Sequence, residues 1–267
     1  MQFYEITSRT NKKIADISAL LDKKGRDSAG EYISEGLKLC GEAVSAGCKV
    51  SCAVVISDKY ADNVKQLCEN SGTERVLLVT RQVYDRVSAD RSPDGVLFVV
   101  KKPEDKARIN RDSRVFMLEN VMDPGNVGTV IRSAAAFGFD TVILAGCADP
   151  RSPKAVRSSM GAVFKTELHV CRSAEDIIPV LKDSGRRIIA AALNRESLVL
   201  GNSELRLSDC PVVGNEGHGV SEYVLNNADE CMLIPMTSKT ESLNAAAAAT
   251  VLMWEYSKTA IGVDYRG

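Results

Sequence analysis

The sequence predicts an α/β protein in two domains, the C-terminal one built on a parallel sheet covered on both faces. Three observations carry this. Strand and helix patterns alternate regularly from residue 115 to the end, and alternating elements assemble into βαβ units. The strand segments are near-continuous apolar runs, Val115 to Leu118 and Thr141 to Ala145 among them, as strands buried on both faces require. The chain of 267 residues is long for a single hydrophobic core, and the stretch from Lys101 to Arg114 is polar, charged and carries Pro103. It divides the chain into a first domain over 1–104, a linker over 105–114 and a second domain over 115–267.

The elements follow in order. The first domain reads as a basic helical opening, then alternating helices and short strands, closing on a strand from Gly95 to Val100. In the second, the patterns predict a strand over 115–119, a helix over 127–137, a strand over 141–145, a helix over 153–164, a strand over 167–171 and a helix over 174–182. Strands over 187–193 and 211–214, a short helix over 221–225, a strand over 231–234 and a long helix over 243–258 complete it. Val127, Val130, Ile131 and Ala134 form the i, i+3, i+4 stripe that packs on a sheet, Asn126 is placed to cap that helix, and Gly138 suits its left-handed stop. Ser242 is placed to cap the last helix. The alanines at 245–249 there leave almost no side-chain bulk, so the backbone can approach a neighbour closely.

Composition excludes several classes. The chain is 45% hydrophobic and 26% charged, which is ordinary for a globular protein. Its 34 basic and 35 acidic residues nearly cancel, so any nucleic-acid site has to be a local patch. The opening MQFYEITSRTNKK lacks the apolar core of a signal peptide, and no apolar run reaches the roughly 18 residues of a membrane span. A cytoplasmic location without membrane contact is the expectation. The eight cysteines form no CxxC pair, and several sit inside apolar runs, so they read as reduced, buried thiols. His169 and His218 are the only histidines, which leaves little for a zinc site, and no metal is expected. No GxSxG, GxGxxG or GxxxxGK[ST] pattern is present, which disfavours a serine hydrolase, a dinucleotide enzyme, a P-loop NTPase and a Rossmann-type methyltransferase.

Parallel sheets bind ligands beyond the carboxyl ends of their strands, and three unusual segments lie there. After the first strand of the second domain, Arg132 falls about 150° from the apolar stripe, so it does not point at the core. A solvated arginine is the plain alternative. Val212 to Gly219 is glycine-rich around Glu216, and Gly214, Gly217 and Gly219 permit close backbone approach. A glycine-rich turn with a solvated acid is the alternative there. Leu233 to Met236 then leads through Ser242 and Asn244 into the alanine-rich helix; a good helix former explains the alanines but not those two polar residues.

The segments NVMDPGNVGTVIRSAAAFG, VVGNEGHGVSE and IPMTSKTESLNAAAA, in this order over residues 120 to 250, resemble the SpoU (TrmH) family of RNA ribose 2′-O-methyltransferases of the SPOUT class. Ser8 to Lys13, Tyr32 to Gly36 and Ser92 to Val96 resemble that family's substrate-binding domain, itself similar to ribosomal proteins of α/β type. The resemblance implies a deep C-terminal trefoil knot and a homodimer through the C-terminal domain. It also implies S-adenosylmethionine held bent, mainly by backbone groups. By position the cofactor contacts are Leu193, Gly214, Asn215, Glu216, Gly217, Gly219, Ile234, Pro235, Met236, Leu243 and Asn244. Asn126, Arg132, Glu216, Ser242 and Asn244 match the family's catalytic pattern, whereas Ser238 and Thr240 depart from it. RNA contact is expected from basic surface: Arg9, Lys12, Lys13, Lys23, Lys24 and Arg26 at the start, and Arg151, Lys154 and Arg157 after the second strand. Ribosomal RNA is the expected substrate. The alternatives are a tRNA ribose methylase, a base methylase and an RNA-binding module of the same fold without activity.

Overall fold

Strand β1 (Gln2–Ile6) precedes the expected helical opening. Helix α1 (Lys12–Ala19) follows, capped by Asn11, whose side chain accepts from the Lys13 backbone N–H. Helix α2 (Lys23–Ala29), β2 (Glu31–Glu35), α3 (Leu37–Ser45), β3 (Val50–Ile56), α4 (Asp62–Asn70), β4 (Arg75–Val79), α5 (Arg81–Tyr84) and β5 (Val96–Lys101) complete this part. Its sheet runs β1-β4-β3-β5-β2, with β1, β4 and β3 parallel and the β5 pairings antiparallel. Ile14 and Ile17 of α1 bury their apolar stripe against Ile33, Val54, Leu77 and Val99 of the sheet. Each such side chain contributes about 1.5–3 kcal/mol on burial.

The structure, a computed structural model, describes residues 1–103, 109–192, 197–201, 205–237, 239 and 242–258. The expected Leu193 contact and the departures Ser238 and Thr240 lie outside these residues. Two units emerge, one of 1–104 with 149–165, the other of 105–148 with 166–267. They are therefore not the two successive stretches the sequence suggested, because residues 149–165 pack with the first. Residues 109–114, expected in a linker, lie within the second unit. Arg186 donates to the carbonyls of Asn110, Arg111 and Ser113 at 2.8–2.9 Å, and Ile109 packs on the second core.

From β6 (Val115–Glu119) the order is α6 (Pro124–Ala136), β7 (Thr141–Ala145), α7 (Pro153–Ser158), β8 (Glu167–Cys171), α8 (Ile178–Asp183), β9 (Ile188–Ala191), β10 (Leu198–Val199), β11 (Cys210–Val213), α9 (Glu222–Asn227), β12 (Glu230–Leu233) and α10 (Ala245–Ser257). All pairs in the seven-stranded sheet β10-β12-β9-β11-β6-β7-β8 are parallel. Val115, Met117 and Ile143 face α8 and α9. By strand alternation the other face carries Phe116, Leu118, Val142 and Leu144, fully buried on the side of α6 and α10. Strand β10, with both residues exposed, had no sequence signal.

Local chemistry moved several boundaries. Helix α6 starts at Pro124, because proline is preset for the first helical position and Asp123 accepts the Gly125 N–H at 2.5 Å. Asp123, not Asn126, is its cap. Likewise Asn244, not Ser242, caps α10, accepting the Ala246 and Ala247 N–H groups at 3.0 and 3.2 Å. The helix expected over 153–164 ends at Ser158, since Met160 and Gly161 take positive φ.

Candidate functional site

Strands β6 and β11 lie side by side, Leu118 opposite Val213, but the chain leaves them in opposite directions across the sheet, toward β7 and toward β12. Such a switch point opens a crevice beyond the strands' carboxyl ends. Asn126, Glu216 and Asn244, three of the residues singled out in the sequence, gather there.

The turn after β6 and the loop after β11 are tied to each other. Asn126, in the first turn of α6, donates through Nδ2 to Oε1 of Glu216 at 2.5 Å, a residue 90 positions away. Its Oδ1 accepts from Nδ2 of Asn244, 118 positions away, at 3.1 Å. Asn244 uses its own Oδ1 to cap α10. The acidic end fixes the direction of the chain: a carboxylate only accepts, so Asn126 must turn its amide nitrogen to Glu216 and its oxygen to Asn244. Three of the expected catalytic residues thus form one hydrogen-bonded row contributed by three segments.

The loop 214–221 is a tight hairpin. Asn215 and Gly219 exchange N–H···O bonds at 2.8 and 2.9 Å, and Asn215 Oδ1 accepts from the N–H groups of Gly217 and His218. A Cβ at Gly214 would fall 2.1 Å from the Gly219 carbonyl oxygen, so no side chain is possible there. Gly219 is exposed, with φ +69 and nothing within 4 Å of its would-be Cβ, so one face of the hairpin is open. Beyond β12, Pro235 and Met236 are exposed. They fit an adenosyl group, which asks for apolar contact to its ring.

Arg132 is exposed on α6 and has no hydrogen-bond or ion-pair partner among the described residues. Ser133 beside it bonds Thr250 of α10 at 2.8 Å and fixes the rotation of the helix that carries it. Ser242 and Leu243 precede the cap Asn244, Ser242 exposed and Leu243 half-buried. Ile234 is half-buried at the end of β12.

Two residues missed in the sequence anchor the loop. Glu119, 3% exposed at the end of β6, accepts from the N–H and the hydroxyl of Ser221 at 2.8 and 2.6 Å. The next carbonyl, that of Asn120, accepts from Asn215 Nδ2 at 3.0 Å. The available signal was a charged residue closing an otherwise wholly apolar strand.

The basic set divides. Arg9, Lys12, Lys13, Lys23, Lys24, Lys154 and Arg157 are exposed. Lys13 sits over the Tyr4 ring at 3.6 Å, Lys23 pairs with Asp27 and Arg157 with Asp90. Arg26 and Arg151 are corrections, being 3% and 8% exposed. Arg26 pairs with Asp149 at 2.7 Å and donates to the carbonyls of Leu20 and Leu21, which makes it an internal brace of the first unit rather than an RNA contact. All eight cysteines are free thiols, and burial pushes Cys147 and Cys210 up to about 12, well out of the nucleophilic range. Among the described residues no group of three His, Cys, Asp or Glu could hold a metal ion, and no helix is long and apolar enough to cross a membrane.

Comparison with known proteins agrees with this geometry. Residues 113–254 match the model of the SpoU rRNA methylase family, and residues 11–97 match the MRM3-like substrate binding domain. The chain is 30% identical to the 23S rRNA (guanosine(2553)-2′-O)-methyltransferase RlmP of Bacillus subtilis, over 94% of this chain and 98% of the relative. It is 28% identical to the 23S rRNA (uridine(2479)-2′-O)-methyltransferase of Streptomyces viridochromogenes, over 94% and 90%. Among solved structures it resembles the AdoMet-bound rRNA methyltransferase of Sinorhizobium meliloti, with a TM-score of 0.87, 29% identity and coverage of 98% of this chain and 100% of that one. It also resembles the AdoMet complex of AviRb from S. viridochromogenes, with a TM-score of 0.84, 25% identity and coverage of 94% and 99%. On a match that spans the whole crevice and its three segments, the chain belongs to the SpoU rRNA methylase family.

Proposed function

We propose that this protein transfers a methyl group from S-adenosylmethionine to a ribose 2′-hydroxyl of ribosomal RNA, acting in the cytoplasm. The observation that carries the reading is the row Glu216, Asn126, Asn244 at the switch point of a parallel sheet, with the exposed Arg132 six residues along α6 from Asn126. Loop 214–219 and the end of β12 would hold the cofactor, which would supply a methyl group on a sulfonium. The O–CH3 bond forms as the S–CH3 bond breaks, and the hydroxyl proton leaves to water or a phosphate oxygen. Arg132 cannot accept that proton, because a guanidinium stays protonated. Its role is to hold the neighbouring phosphate in a bidentate grip and stabilise charge developing on the 2′-oxygen. The Asn126 row holds the ribose end of the site, with Ser242 beside it, and Glu216 fixes the amide of Asn126. Arg9, Lys12, Lys13, Lys23, Lys24, Lys154 and Arg157 contact RNA phosphates. The test incubates purified protein, labelled S-adenosylmethionine and unmodified ribosomal RNA, then maps the label. A ribose 2′-O-methyl product supports the reading. Label on a base, on tRNA alone or nowhere overturns it.

The trefoil knot belongs to this reading. Strand β12 lies beyond β9, yet α10 returns to pack on α6 and β11, the placement that a threaded C-terminal segment requires. So does a homodimer. On α10 the exposed Ala247, Val251 and Trp254 recur at i, i+4 and i+7, with Trp254 46% exposed and edge-on to Phe137 at 5.9 Å. An apolar stripe on a helix that packs beside α6 suits a second copy of the chain covering it. Sedimentation should give a dimer for the wild type and a folded monomer for Trp254→Asp; a monomeric wild type rejects the dimer.

A further inference from the structure

Two carboxylates of the second unit are almost fully buried, and they are satisfied in different ways. Asp209, 1% exposed, is paired with the Arg187 guanidinium at 2.9 Å. Glu119, 3% exposed, has no cation beside it among the described residues; both its oxygens are taken by neutral donors of Ser221. Burying a carboxylate without a counter-charge is costly, and a fold that only needed to fill the end of β6 would place an apolar residue there. The charge makes sense as a clamp. It accepts two bonds at once from one residue, and charge-assisted bonds are the shorter and stronger kind.

What it clamps is the far end of the hairpin loop. Ser221 donates its N–H and its hydroxyl to Glu119, and the same hydroxyl accepts the Val224 N–H, so α9 starts where the clamp holds it. The near end is held one residue beyond β6, where the Asn120 carbonyl takes the Asn215 amide. Asn120 has φ +53, a left-handed conformation few residues with a side chain adopt, and it persists only where its surroundings impose it. Gly146 leaves the room: a Cβ there would fall 2.3 Å from Asn120 Oδ1. Glu119 at the end of β6 and Asn120 just beyond it therefore grip both ends of loop 215–221, and Asn126 grips Glu216 within it.

We propose that Glu119 is a positioning residue for the methyl donor, acting through Ser221 to hold loop 214–221 in its cofactor-binding shape. This rests on the proposed function, in which that loop carries S-adenosylmethionine. Glu119 does not reach the reacting atoms; Arg132 and Asn126 are left in place when it changes. The consequence is a split between binding and chemistry. Glu119→Gln keeps the size but has one accepting oxygen for two Ser221 donors, and it loses the charge that strengthens both bonds.

The experiment is calorimetry with S-adenosylmethionine on wild type, Glu119→Gln, Ser221→Ala and the double variant, with turnover at saturating cofactor and amide exchange alongside. Each single variant should raise the cofactor Kd about tenfold or more, with kcat within about threefold of wild type. The double variant should be no weaker than the weaker single one, because both remove one link. Amides 215–221 should exchange faster while β6 and β7 stay protected. Unchanged Kd in both single variants, additive losses, or a fall in kcat at unchanged Kd would each overturn the clamp. Should Glu119→Gln not fold, Ser221→Ala decides alone by the same Kd and exchange criteria. Wild-type protein that binds no S-adenosylmethionine overturns the proposed function itself, whereas equal binding by wild type and variants overturns only the role of Glu119.

Discussion

Arg132→Ala should lower methyl transfer by roughly a thousandfold or more while leaving S-adenosylmethionine affinity and melting temperature close to wild type. The stability half follows from where the residue sits. It is exposed and has no partner among the described residues, so truncating it opens no cavity and orphans no buried group. The chemical half follows from the charge that appears as the 2′-hydroxyl becomes an ether oxygen. A donor already aimed at that oxygen need not reorganise at the moment of reaction, and this is where such groups have their largest effects. Arg132→Lys should fail nearly as badly. A lysine keeps the charge but not the planar fork that holds a phosphate by two parallel bonds. The measurements are single-turnover transfer to ribosomal RNA and calorimetry with the cofactor. Near-normal turnover in the alanine variant removes Arg132 from the mechanism; loss of cofactor binding moves it into the donor pocket.

Much of the second unit was legible in its sequence because its central strands are buried on both faces. The runs at 115–119 and 141–145 allow no other comfortable state, and the strands fall on those residues, as the half-exposed edge strand does on 167–171. Helix ends were less legible: the sequence puts the cap of α6 at Asn126, and the structure puts it at Asp123. Pro124 at the first helical position decides between them, and that frees Asn126 to reach Glu216 and Asn244. Burial of charge was not legible at all. Arg26 sits in a run with Lys23 and Lys24 and reads as part of a basic surface, yet its guanidinium lies inside, on Asp149 and two carbonyls. A partner 123 positions away leaves no trace in local pattern. Glu119 shows the opposite failure. It was visible as an odd charge in an apolar strand, but its meaning needed Ser221, which the sheet brings from 102 positions away.

Gly214→Ala should abolish S-adenosylmethionine binding, the largest loss expected from adding a single methyl group to this chain. The added carbon would sit 2.1 Å from the Gly219 carbonyl oxygen and 2.4 Å from the Val220 nitrogen, both main-chain atoms. Side chains can rotate away from such a clash, but main chain cannot, so the hairpin itself must open. Opening breaks the reciprocal bonds between Asn215 and Gly219 and pulls Asn215 off the Asn120 carbonyl. The strand before it is fixed, with Val212 and Val213 buried against Met117 and Leu118 of β6, so the displacement is forced outward into the loop that is proposed to hold the cofactor. Forcing bulk into a tight buried site typically costs about 1–3 kcal/mol. The variant should therefore fold with a lowered melting temperature and lose the cofactor at concentrations that saturate wild type. Gly217→Ala is the control, because its nearest neighbour is the Asn215 side-chain oxygen at 3.4 Å, an ordinary contact. Equal cofactor affinity in the two alanine variants would mean that the hairpin does not set the donor site, and the backbone cradle would have to be sought elsewhere on the sheet.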